Sequence, residues 1–126
     1  MIRIDKKTGS QLMRLWGVLS WPEIDAEYWL WHGCCIFVTI DHGDSVDLHM
    51  AMRKSDRRRC RDAVSDMLHK IGNRTVNAPI RIEHKQVCNL ARKFGFTEYW
   101  RGIVEYIDDS RGELILMKRC ADGRYS

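Results

Sequence analysis

Between Val46 and Met52 the chain alternates apolar and polar positions: Val46, Leu48, Met50 and Met52 fall on one side, Asp47, His49 and Ala51 on the other. That period of two is the signature of a strand. A few residues later the period changes. Cys60, Ala63, Val64, Met67, Leu68 and Ile71 recur at helical spacing, Ser55 is placed to cap the start, and Gly72 closes the end. Upstream, Met1 to Asp5 reads as a short strand. Thr8 then caps a helix carrying Leu12, Leu15, Trp16 and Leu19, which Trp21-Pro22 terminates. The stretch Tyr28 to Ile40, rich in aromatic and branched residues, turns through Asp41-His42-Gly43-Asp44 to make a hairpin with the strand at 46–52. Downstream, Ala78 to Glu83 reads as a strand. A short helix follows with Val87, Leu90, Ala91 and Phe94 on one face and Gly95 at its end. Tyr99 to Ile107 and Glu113 to Lys118 complete the pattern as two strands joined by a turn at 108–112.

This order (β, α, β-hairpin, α, β, α, β-hairpin) predicts an α/β fold, a mixed sheet with helices on both faces. The 126 residues, 44% hydrophobic and 30% charged, suit one globular domain, expected over 1–120 with 121–126 as a flexible tail. No apolar run approaches the roughly 20 residues that span a bilayer, and Met1 to Lys7 lacks the apolar stretch of a secretion signal. A cytoplasmic location and no membrane partner are therefore expected. Five cysteines without a CxxC pair argue for buried, reduced thiols over a disulfide framework or a zinc site, so no metal is expected.

The net charge of +4 is modest, but its distribution is not even. Arg53, Lys54, Arg57, Arg58, Arg59 and Arg61 crowd between the strand at 46–52 and the helix that follows. Cations at a helix N-terminus are disfavoured by roughly 0.3–1 kcal/mol each unless an anion neutralises them, so the run asks for a phosphate or an acidic surface. A solvated basic helix face is the plain alternative. His49 is placed to act as a general base, although a histidine hydrogen-bonded within the sheet is the simpler expectation. Glu83 and His84 end a strand, where they line a pocket or form a surface turn. The five tryptophans suit packing and partner contacts. Cys34 and Cys35 lie in an apolar stretch that disfavours a thiolate, and Asp108 and Asp109 suit turn geometry more than metal binding.

The element order and the segment Asn89-Leu90-Ala91-Arg92-Lys93-Phe94-Gly95-Phe96 resemble the GNAT acyltransferases (GCN-related N-acetyltransferases), over nearly the whole chain. The resemblance implies a GNAT-like fold and a site for acetyl-coenzyme A. In that family a glycine-bearing loop opens the helix after the fourth strand and cradles the coenzyme's pyrophosphate with backbone N–H groups. Here Arg57, Arg59 or Arg61 stand where the glycines are expected. The corresponding cofactor-binding candidates are Met52, Arg53, Arg57, Arg58, Arg59 and Arg61, with His49 as the candidate base. The family's asparagine and leaving-group tyrosine align with His84 and Ala91. The chain also resembles small GNAT-like proteins of bacteriophages, some assigned to head assembly. The leading expectation is thus a catalytically degenerate GNAT-fold protein, a phage accessory or head-assembly protein of the host cytoplasm or virion. It would need no cofactor and would bind a phage or host protein, or nucleic acid, through the basic patch. The alternative is an acetyl-CoA-dependent N-acetyltransferase that holds the coenzyme phosphates with the basic loop at 53–61.

Overall fold

A computed structural model describes residues 1–106 and 109–121. Its elements run β1 (Ile2–Ile4), α1 (Lys6–Leu15), β2 (Glu27–Trp31), β3 (Cys35–Asp41), β4 (Ser45–Met52), a 3₁₀ segment (Lys54–Arg59), α2 (Cys60–Ile71), β5 (Thr75–Arg81), α3 (Lys85–Lys93), β6 (Thr97–Glu105) and β7 (Arg111–Arg119). The strands form a mixed sheet in the order β1-β2-β3-β4-β5-β7-β6, in which β4 and β5 are parallel. This is the α/β architecture that the element order predicts. The contacts gather into two compact units, one of Met1–Ile40 with His49–Lys70, the other of Asp41–Leu48 with Ile71–Ser126.

In the first unit, pleat alternation gives β2 and β3 two different faces. Tyr28, Ile36, Val38 and Ala51 share a buried cluster with Met13 of α1 and with Trp21. Trp29 and Trp31 point the other way, toward α2: the Trp31 indole N–H donates to Asp66 at 2.8 Å and the Lys70 ammonium lies 4.3 Å from the Trp29 ring centre. The α2 stripe is as the sequence predicts, with Ala63, Val64, Met67, Leu68 and Ile71 buried. Gly72, at φ +79°, ends the helix in the left-handed conformation that glycine adopts without steric cost.

Several expectations are corrected. Asp5, not Thr8, caps α1: its carboxylate accepts from the Thr8 N–H at 3.0 Å. The helix stops at Leu15, well before Pro22, because Gly17 takes φ +134°; Leu15 and Leu19 are exposed, and the buried side of α1 is Gly9, Ser10 and Met13. The stretch 28–40 is two strands. They turn at His32 and Gly33, both at positive φ, with the Cys34 N–H bonded to the Trp31 carbonyl at 3.1 Å. Positive φ at both central residues is what a type I′ turn requires, and only the glycine advertises it in the sequence.

In the second unit β4 pairs with β5 only at Ser45–Asp47 against Thr75–Asn77, and β5 continues against β7 from Val76 to Arg81. Pro79 lies beyond the last β4 pair. A residue without an N–H is tolerated in a strand where no ladder bond is asked of it. On α3, Ala91 is buried and Leu90 and Phe94 are half-buried, as predicted, but Val87 is exposed and Cys88, one position on, is buried in its place. β6 and β7 begin and end earlier or later than expected: Arg111 and Gly112 already belong to β7, Asp109 takes φ +70°, and Asp108 lies outside the described residues, as do the tail residues 122–126.

Candidate functional site

The basic run does not form the first turn of a continuous helix. Residues Lys54–Arg59 wind as a 3₁₀ segment and α2 begins only at Cys60. Ser55 is not a cap: its hydroxyl donates to Asp56 at 3.3 Å, and the segment has no side-chain cap. In 3₁₀ geometry each N–H bonds the carbonyl three residues back, so the N–H groups of Arg57, Arg58 and Arg59 turn inward. A run of free backbone donors of the kind a glycine loop offers is not built here.

The cations meet different fates. Arg53 is tied down: its Nε donates to Asp56 at 2.5 Å, and its backbone N–H bonds the Cys34 carbonyl at 2.9 Å. This guanidinium holds the Asp56 carboxyl below the usual carboxylate range, against the opposing effect of burial. Arg59 lies 4.7 Å from the Trp31 ring centre and donates from Nη2 toward His32 Nδ1 at 3.1 Å. A guanidinium only donates, so Nδ1 is the acceptor in that contact. Trp31, His32 and Arg59 thus form a stack, with the two rings 4.1 Å apart. Lys54, Arg57, Arg58 and Arg61 are exposed and, among the described residues, meet no carboxylate. Arg57 reaches toward Gly17, where an added Cβ would be 3.9 Å from its Nη2.

The remaining predicted site residues are placed as follows. The Met52 side chain is buried, so at a surface site it offers only backbone. His49 sits edge-on to Trp21, ring centres 5.3 Å apart. Behind Trp21 lies a network that sequence reading missed. The Tyr28 hydroxyl accepts from Ser10 Oγ at 3.2 Å and from the Trp21 indole N–H at 3.3 Å, and donates to the Ile24 carbonyl at 2.9 Å. No local pattern links residues 10, 21 and 28, so only the tertiary fold reveals it. His84 precedes α3 without capping it, and Ala91 is buried, so no phenol stands at the position aligned with the family's tyrosine. Burial pushes the thiols of Cys35 and Cys60 up, the latter against a smaller opposite effect of Arg57, which disfavours either as a nucleophile. Among the described residues no His, Cys, Asp or Glu group could hold a metal, and no helix is long and apolar enough to cross a membrane.

No protein-family profile matches the sequence, and no curated protein matches it. Solved structures do. The ribosomal-protein-S18-alanine N-acetyltransferase of Escherichia coli superposes with a TM-score of 0.68 at 17% identity, over 94% of this chain and 90% of that one. A Salmonella typhimurium structure assigned as an acetyltransferase, solved with its cofactor acetyl-CoA, gives 0.67 at 12% identity, over 99% and 95%. A structure assigned as a phosphinothricin N-acetyltransferase gives 0.58 at 16% identity over 70% of this chain, which spans only 63% of that protein's length. None of the three supports the phage or head-assembly resemblance. At such identities the likeness speaks for architecture: the chain has the fold of the GNAT N-acetyltransferases.

Proposed function

We propose that this chain is an acetyl-coenzyme A-dependent N-acyltransferase in which arginine side chains take over the phosphate binding usually left to a glycine loop. The observation that carries the reading is the set of cations without carboxylate partners at the β4–α2 junction: Lys54, Arg57, Arg58 and Arg61. Their charge fits a polyphosphate, and guanidinium groups bind phosphate through paired, charge-assisted hydrogen bonds. The backbone fits less well, since the 3₁₀ segment engages its own N–H groups, so binding rests on side chains. Bound coenzyme would supply an acetyl thioester, and an acceptor amine must lose a proton to attack it. His49, set against an aromatic ring and partly buried, is the residue we place as the base.

Arginine footprinting tests the phosphate role. Phenylglyoxal should modify exposed Arg57, Arg58 and Arg61, and acetyl-CoA should protect them while leaving Arg92 on α3 reactive, as read by peptide mass spectrometry. Equal labelling with and without coenzyme would reject the reading.

The closed backbone of the 3₁₀ segment favours a second reading, in which acetyl transfer is lost and the same cations contact nucleic acid or an acidic protein. Binding of an oligonucleotide would then weaken steeply with salt, and charge removal at Arg57, Arg58 and Arg61 would flatten that slope.

A further inference from the structure

β6 ends the sheet order and is paired to β7 on one side only. Among the described residues, no other backbone bonds to its outer edge. After the irregularity at Glu98/Trp100, residues 100–105 pair without interruption against 116–111. That leaves a regular stretch of edge whose outward N–H and C=O groups can pair with a further strand. The sheet's other edge strand, β1, is only three residues long and offers no comparable run.

The side chains of this stretch do not suit an edge that stays in water. By pleat, Trp100, Gly102 and Val104 face one way and Arg101, Ile103 and Glu105 the other. Trp100 is 43% exposed and lines an open hollow with Tyr99, Val104, Leu114 and Leu116. Ile103, on the reverse face, is 65% exposed. Large apolar groups thus stand bare on both faces of one edge strand. A ligand lying on the hollow would cover one face only, whereas a strand that continues the sheet flanks both.

Self-complementarity chooses the occupant. When a strand pairs antiparallel with its own copy about a two-fold axis, like faces stay together only if the axis falls on a residue. An axis at Trp100 would carry the pairing across the irregularity. At Arg101 or Glu105 it would oppose like charges. At Gly102 or Val104 it would set a charged side chain, Arg101 or Glu105, against Ile103. An axis at Ile103 matches every position: Ile103 meets Ile103 of the second copy, Arg101 meets its Glu105, and Gly102 meets its Val104. Glu105 is exposed and, among the described residues, makes no ion pair, not even with Arg111 opposite it on β7. Arg101 gives Nε and Nη2 to Glu98, at 3.2 and 2.7 Å, while its Nη1 stands 3.9 Å from Glu113 and keeps donors to give. On the other face the Trp100 ring lies over Gly102, where a Cβ would collide. Val104 of the second copy, opposite that glycine, would close the open flank of the ring.

We propose that this protein forms a two-fold dimer through β6, with Ile103 on the axis, Arg101–Glu105 pairs on one face and Trp100–Val104 contacts on the other. The cations at the β4–α2 junction take no part, so the dimer is independent of coenzyme binding.

Sedimentation velocity of the whole protein tests it. A dimer is expected in the micromolar range, and Glu105→Arg, which sets arginine against arginine, should weaken it at least about tenfold. Arg101→Glu should do the same by setting carboxylate against carboxylate. An equimolar mixture of the two variants restores both opposite-charge pairs and should sediment as a mixed dimer. Circular dichroism shows whether each variant is folded, and a cysteine pair keeps the test decisive if Arg101→Glu is not. In Ile103→Cys the two thiols face each other across the axis, so mild oxidation should link the copies through residue 103, as read by peptide mass spectrometry. Thr97→Cys, far from the axis, should not link. A protein that stays monomeric at about 100 μM would overturn the proposal and make Arg101 and Glu105 guards of the edge. So would a dimer that Glu105→Arg leaves intact, folded charge variants that do not pair on mixing, or an Ile103→Cys protein that links no more than Thr97→Cys.

Discussion

Gly9 shows how far one residue's environment can reverse its propensity. Replacing glycine by alanine inside a helix ordinarily gains up to about 1 kcal/mol. Here a Cβ would lie 2.6 Å from Tyr28 Cγ, against a ring that is 1% exposed and held by three hydrogen bonds. Gly9→Ala should therefore destabilise the protein, by about 1–3 kcal/mol as overpacking does, lowering the urea midpoint; an unchanged or raised midpoint would show that the ring has room to move. Tyr28→Phe probes the same place chemically. It keeps the packing and removes the oxygen shared by Ser10, Trp21 and Ile24, so it should cost about 1–3 kcal/mol through polar groups left unpaired. At this scale the sequence was partly legible. Apolar periodicity located the α2 stripe residue by residue, yet gave no sign that Gly9 and Ser10 form the buried side of α1, because small residues carry no hydropathy signal.

Between elements, the turns are fastened by carboxylates. Asp41 accepts from the Gly43 N–H at 2.7 Å and from Arg74 at 2.9 Å, and these contacts hold its carboxyl below the usual range. Arg53 does the same for Asp56, and Arg101 for Glu98. A folded-state pKa below the unfolded one gives stability that is present above the unfolded value and is lost as pH falls through the folded value. Unfolding midpoints should thus hold steady just above the carboxylate range and drop once pH falls below about 4. Asp41→Asn should flatten part of that acid limb, and an identical limb in the variant would separate Asp41 from the effect. The turn at 41–44 was readable because Asp and Gly mark it. The turn at His32-Gly33 was hidden inside a stretch of strand-forming residues, and the 3₁₀ segment was hidden because nothing in a run of arginines distinguishes it from the first turn of an α-helix.

For the molecule as a whole, the order of strands and helices was legible because each change of hydrophobic period is a local event. The functional chemistry was less so, since it depends on which cations are left without partners after folding. Arg53 and Arg59 look like Arg57 and Arg58 in the sequence, and only the fold gives them Asp56, Trp31 and His32. The test that follows is calorimetric titration of the protein with acetyl-coenzyme A, repeated on Arg57→Ser/Arg58→Ser. Saturable binding, weakened by about tenfold or more in the double variant, is the predicted result. No heat at millimolar coenzyme, or equal affinity in the two proteins, would contradict a coenzyme site built from these arginines.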